Sequence, residues 1–215
     1  VIKSESIAES TVEPPVEPPA EPPVPGLALA FASTIRHDGH GGVADDLADP
    51  AALPGWAAGV GFDGVPGSAE AQAAVLSIRA GTRALFAYAV RPWPASRADA
   101  HRLLPLAEAV DRINTAAAQV PVTVRLDWDD ERPASVLEGG AADPVVALTA
   151  ALARATIAFL AGPDRENLRA CQAPRCVRYF VKGHGRQEFC KPSCSNRARV
   201  ARHYARHQAE GQVDE

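Results

Sequence analysis

Residues 171–207 read CQAPRCVRYFVKGHGRQEFCKPSCSNRARVARHYARH and hold all four cysteines of the 215-residue chain. The spacing is Cys171-x4-Cys176, thirteen residues, then Cys190-x3-Cys194. Two close pairs so arranged predict one tetrahedral zinc site, because four thiolates close the coordination sphere of Zn2+. One structural Zn2+ is therefore expected on Cys171, Cys176, Cys190 and Cys194. Disulfides are the weaker reading. The leading residues VIKSESIAES lack the charged-then-apolar order of a secretory signal.

Between the pairs, Val177, Tyr179 and Val181 alternate, KGHG offers a turn, and Gln187 and Phe189 return. That pattern predicts a hairpin within the insert. A module with so little apolar core takes much of its folding energy from the metal. After Cys194, Ser195 is expected to cap a helix carrying Arg197, Arg199, Arg202, His203 and Arg206. Arg199, Arg202 and Arg206 are three and four apart, so they share a face. Val200 and Tyr204 lie on another face and are expected to pack on the hairpin. The shape is a zinc knuckle, a hairpin and a helix, in the manner of a treble clef. A row of guanidiniums suits phosphates and guanine edges.

Charge supports that assignment. Residues 165–207 carry eleven Lys/Arg against Glu166 and Glu188, a net +9, whereas residues 1–164 carry eleven basic and twenty-one acidic residues, a net −10. A basic module on an acidic body implies either a polyanion partner or docking of the module on that body. Exposure of the arginine face discriminates between the two.

The remainder reads as a leader and a body. Residues 11–25 are TVEPPVEPPAEPPVP, with Glu-Pro-Pro-x repeated three times. Proline fixes φ and lacks a donor, so residues 1–25 are expected to form a disordered, Pro-rich tail. The body begins near Gly26. GLALAFASTIR is a short apolar segment whose pattern does not choose between helix and strand, and Trp56 is a candidate core anchor. Residues 68–90 read as a helix with Val75, Ile78, Thr82, Leu85 and Ala89 on its buried stripe and Ser68 as cap. Residues 97–118 read as another, with Leu103, Leu106, Val110, Ile113 and Ala117 on one face and a kink or a start at Pro105. VPVTVRLDW at 120–128 alternates with a period of two and predicts a half-buried strand, paired in a hairpin with a strand near Ala134–Leu137. Residues 142–162, ADPVVALTAALARATIAFLAG, predict a buried central helix capped by Asp143 and ended by Gly162-Pro163. No segment reads as a membrane span by consecutive apolar residues.

At the finger the chain resembles a known family. Cys194-Ser195-Asn196-Arg197 is similar to the Cys-Gly-Asn-Arg signature of the CGNR zinc finger, with Ser195 in the glycine's place. The paired cysteines, Tyr179-Phe180 and the Arg-rich helix extend the likeness. Such fingers follow an ABATE domain, and LALAFASTIR resembles its opening motif, with Ala30 and Ser33 where the family carries an aspartate and an asparagine. The resemblance implies a bacterial DNA-binding transcription regulator. It also implies that the ABATE part senses a small-molecule effector or makes a homodimer. Asn196 and Arg197 either contact phosphate or base, or brace the knuckle.

Other polar clusters carry less. His37, Asp38, His40, Asp45 and Asp46 have metal-binding chemistry, but the glycines among them read as a solvated loop. Asp127, Asp129, Asp130 and Glu131 read as an acidic hairpin turn, and His184 as a turn-tip residue. No Gly-rich phosphate loop, nucleophile elbow or HExxH occurs, so no common enzyme class is indicated.

The sequence thus predicts an α+β fold: a helix-rich domain with a small β-hairpin over 26–162, then a treble-clef-like four-cysteine zinc finger over 165–208. It predicts a cytoplasmic, non-enzymatic regulator that binds DNA through Arg197, Arg199, Arg202 and Arg206. The alternatives are a ligand-binding or protein-interaction protein with a purely structural finger, and RNA binding.

Overall fold

The computed structural model describes residues 26–38, 42–99, 103–128 and 133–211. The Pro-rich tail, His40, Asp129, Asp130 and Glu131 lie outside them. In chain order the elements are α1 (Leu27–Ala32), β1 (Ile35–His37), β2 (Val43–Asp45), α2 (Leu53–Gly59), α3 (Ala69–Ala89), α4 (Leu106–Ala118), β3 (Val122–Trp128), β4 (Pro133–Gly139), α5 (Pro144–Ala161), β5 (Leu168–Ala170), β6 (Tyr179–Val181) and α6 (Pro192–Gly211). The fold is α+β, with helices packed together and strands confined to two-stranded antiparallel pairs. The short apolar segment that the sequence left open becomes α1 and then β1.

Helices α3, α4 and α5 pack on one another, and α1 lies against α3 and α5. Their core contains Phe31, Leu47, Leu53, Val75, Ile113, Leu148 and Leu152, all buried. Trp56 packs on its edge, its ring 5.5 Å from that of Phe31. Ser68 caps α3 by accepting from the Ala71 amide. Val75, Ile78, Thr82 and Leu85 are buried, and Ala89 is half-buried. Asp143 caps α5 by accepting from the Val145 and Val146 amides. Helix α5 is long and apolar enough by composition to cross a bilayer. Here Leu148–Ala153 and Thr156 are instead buried in the bundle, and Thr156 shares a 2.9 Å hydrogen bond with Thr82 of α3.

Two expectations need correction. Among the described residues of 97–118 the helix runs from Leu106, with Pro105 just before it, so of the kink and the start the start holds and the correction concerns the face. Its buried face is Ala109, Ile113 and Ala116, whereas Leu103, Leu106 and Val110 are 38%, 46% and 41% exposed. The reason is close packing. Ile113 lies over Gly81 of α3, where a Cβ would come within 3.3 Å of it, so the two helices approach closely and only Ala109 and Ala116 fit beside Ile113 on the buried face. The second concerns β3. It pairs with β4 from Val122↔Gly139 to Trp128↔Pro133, as the alternation predicts. It is not half-buried, because no other element among the described residues packs extensively on it. Val124, Leu126 and Trp128 are 72%, 64% and 69% exposed.

The His37–Asp46 region is also more ordered than a solvated loop. Strands β1 and β2 pair over Ile35↔Asp45 to His37↔Val43. Arg79, buried on α3, grips both carboxylate oxygens of Asp45 at 2.5 and 2.6 Å. Burial alone would raise the Asp45 carboxyl pKa. The Arg79 hydrogen bonds and the Leu47 amide outweigh burial and hold it below its ordinary value. Asp46 pairs with Arg36 at 2.7 Å.

Candidate metal centre and nucleic-acid surface

The finger grows directly out of the body's core. After α5, a 3-10 turn at Pro163–Asn167 leads into β5, which pairs antiparallel with β6 from Leu168↔Val181 to Ala170↔Tyr179. The partner of β6 is therefore the strand before Cys171. It is not the Gln187–Phe189 return that the sequence suggested. The return is held as a turn instead: the Gly183 amide donates to Gln187 Oε1 at 2.8 Å, and Lys182 Nζ donates to the Gly185 carbonyl at 2.7 Å. His184 is exposed in this turn. The physical cause is burial. Tyr179 and Leu168 enter a core cluster with Ala28, Ala32, Phe86 and Val90, which draws β6 onto β5 and the body.

Polar bonds lock the same joint. Tyr179 donates its hydroxyl proton to Asp99 at 2.7 Å, and Arg83 pairs with Asp99 at 2.7 Å. The Val177 carbonyl accepts from Ser96 Oγ at 2.8 Å and from Arg83 at 3.3 Å. Burial, together with the Asp99 charge, drives the Tyr179 phenol pKa well above its ordinary value, so it stays a donor. Arg83, Ser96 and Asp99 were not legible as functional positions. An arginine in a helical pattern reads as a solvated face, and only the fold shows that this one is buried.

The four cysteines come together on this platform. Cys171, Cys176 and Cys194 are buried, Cys190 is half-buried, and their Sγ atoms all lie within 4.8 Å of one another. Cys176 Sγ is 3.8 Å from Cys190 Sγ, which is 3.5 Å from Cys194 Sγ. Four sulfurs about 2.3 Å from a central zinc would stand about 3.8 Å apart, whereas a disulfide needs about 2.05 Å. The donor set and its spacing fit a metal. Thiols this close also compete for protons. The Cys171 thiol is pushed up to about 11, chiefly by its bond to Cys176, and Cys190 is raised further by Cys171 and Cys176. Cys176 is held low by the same bond to Cys171. A divalent cation relieves this conflict by taking the protons' place.

Helix α6 starts at Pro192, so Cys194 lies in its first turn and Ser195 is inside the helix. Ser195 therefore does not cap it. The Cys194 and Ser195 amides donate to the Lys191 carbonyl at 3.0 and 3.3 Å. Asn196 is exposed and makes no side-chain hydrogen bond among the described residues, so it does not brace the knuckle. Arg197 does, because its Nη2 donates to Cys194 Sγ at 3.1 Å. Arg199, Arg202 and Arg206 are exposed, and none pairs with an acidic residue among the described residues. The bonds at the joint thus leave the arginine face free of the acidic body. Val200 and Tyr204, expected against the hairpin, are 49% and 65% exposed on the same helix. The strand that they would cover lies against the body.

Comparison with protein families agrees with this division. The ABATE family model, described as "Putative stress-induced transcription regulator", matches residues 26–163. The chain belongs to the ABATE family. The CGNR zinc finger matches residues 167–207, directly after the ABATE region. No curated protein matches the chain in sequence. The junction of the ABATE and CGNR regions falls in the turn before β5, and the core cluster of Phe86 and Tyr179 runs across it.

Proposed function

We propose that this ABATE protein is a DNA-binding transcription regulator whose finger is built on one Zn2+. The observation that carries this reading is the face of Arg199, Arg202 and Arg206, solvent-exposed and paired with no acidic residue among the described residues, beside a metal knuckle. Planar guanidiniums grip phosphate bidentately and attract DNA over a longer range. The acidic body directs binding to this one surface, since it repels a polyanion elsewhere. Tyr204, exposed on α6, offers a ring beside the arginines. Zn2+ holds the four thiolates and thereby the start of α6. Binding is the whole of the activity, with no catalytic step. One finger buries little DNA surface, so a homodimer or a second contact completes the affinity.

The test is equilibrium binding of the full, zinc-loaded chain to duplex DNA. The triple variant R199Q/R202Q/R206Q should bind at least about tenfold more weakly. Equal affinity would refute the reading. Metal analysis should return one zinc per chain, and a chain without zinc that binds DNA equally well would separate the finger's fold from its function.

A further inference from the structure

A pocket of about 260 Å3 opens where the body meets the metal knuckle, lined by Arg36, His37 and Asp38 of the body and Cys176, Arg178, Lys191 and Arg197 of the finger. Four of the seven lining residues are permanent cations, and one, Asp38, is an anion. Asp38 is partly engaged already, since its Oδ1 accepts from the Gly42 amide at 2.9 Å. Arg36 is balanced by Asp46.

The finger's three cations are less well accounted for. Four thiolates around a divalent ion leave two net negative charges, and Arg197 answers part of them through Cys194 Sγ. Its Nε, however, is buried and bonded to nothing among the described residues. A buried N–H without an acceptor is costly and marks a place where a ligand or water belongs. The Arg178 and Lys191 side chains make no hydrogen bond or ion pair among the described residues, and Arg178 is only half-exposed. Lys191 directly precedes the twenty-residue helix α6, whose N-terminal end adds positive potential.

We propose that this pocket is a binding site for a phosphate-type oxyanion. Two guanidiniums and an ammonium converging on a small cavity match the several acceptor oxygens of a phosphate group. The volume suits a phosphate or phosphomonoester head better than a larger ligand. An anion there would bridge β1, the residue pair Cys176–Arg178 and the start of α6, so it would tie the body to both cysteine knuckles. The pocket shares no residue with the face of Arg199, Arg202 and Arg206, and its ligand has two sources: a free phosphate compound, or a backbone phosphate of bound DNA, the latter resting on the DNA-binding reading above.

The experiment titrates the full zinc-loaded chain with inorganic phosphate, and in parallel with chloride at equal ionic strength. Calorimetry and the melting temperature are the readouts. Phosphate should bind saturably and raise the melting temperature, and chloride should do neither. The double variant R178Q/K191Q should bind phosphate at least about tenfold more weakly, while zinc content stays unchanged. Lys191→Gln alone, at an exposed position, should weaken it several-fold and guards against a folding defect. Absence of saturable phosphate binding to the parent chain would overturn the site. So would equal binding by both variants, which would mean that the cations serve only to balance the thiolates. Competition separates the sources. Duplex DNA displaces phosphate if the pocket takes a backbone phosphate, and binds alongside it if the ligand is a free anion. DNA binding lost in R199Q/R202Q/R206Q with phosphate binding retained would distinguish this site from the DNA surface.

Discussion

Arg79 and Asp45 join α3 to the β1–β2 pair through two charged hydrogen bonds, and Thr34 Oγ1 accepts a third from Arg79 at 2.9 Å. Asp45→Asn should cost about 2 kcal/mol at neutral pH, the scale of a hydrogen bond to a charged group. The folded carboxyl has a lowered pKa, so its contribution is complete above the unfolded value of 3.8 and is lost as pH falls through the folded value. The melting temperatures of parent and variant should converge below pH 3.8, and a constant difference would contradict the ion-pair account. Single residues differ in how well the sequence announces them. The cysteines are legible because a thiol has few roles and their spacing restricts these further. Asp45 is not, because a carboxylate among glycines reads as solvated until its partner on α3 is known. Arg178 and Lys191 are equally silent, since a pocket between two segments has no pattern in either.

Elements follow the same logic. Caps and periodicity reveal α3 and α5, because Ser68 and Asp143 act locally on their own helix. The path of the finger's strand is not local. Tyr179 is drawn into the body by Phe86, whose ring stands edge-on at 5.5 Å, and this sets β6 on β5. Two predictions belong at this scale. Removing the metal should release the segments that only the thiolates hold. Hydrogen exchange should then accelerate over 173–176 and 186–198, while α3 and α5 keep their protection. Loss of protection in α5 at the same chelator concentration would show that the body depends on the metal. Strand β3 makes the opposite case, since the side chains of Val124, Leu126 and Trp128 are exposed. Val124→Thr with Leu126→Thr should change stability by no more than about 0.5 kcal/mol. A loss several times larger would mean that the chain in solution covers this face.

The whole molecule is one acidic helical body fused to one basic finger through a shared core. Phe86→Ala should destabilise the protein by about 3–4 kcal/mol, and body and finger should still melt in a single transition. Two separate transitions would contradict the shared core. Both family regions are legible from sequence, since each carries local motifs. Their fusion is not, because Tyr179 and Phe86 meet only in three dimensions. That fusion gives the arginine face its setting, held outward on α6 by a fixed joint. The most direct test of the central claim is the slope of log DNA affinity against log salt concentration for the zinc-loaded chain. Each neutralised phosphate contributes about −0.9 to that slope. The account predicts a slope of about −3 or steeper for the parent chain, flatter by about three in R199Q/R202Q/R206Q. Identical slopes in the two proteins would show that these arginines do not meet phosphate.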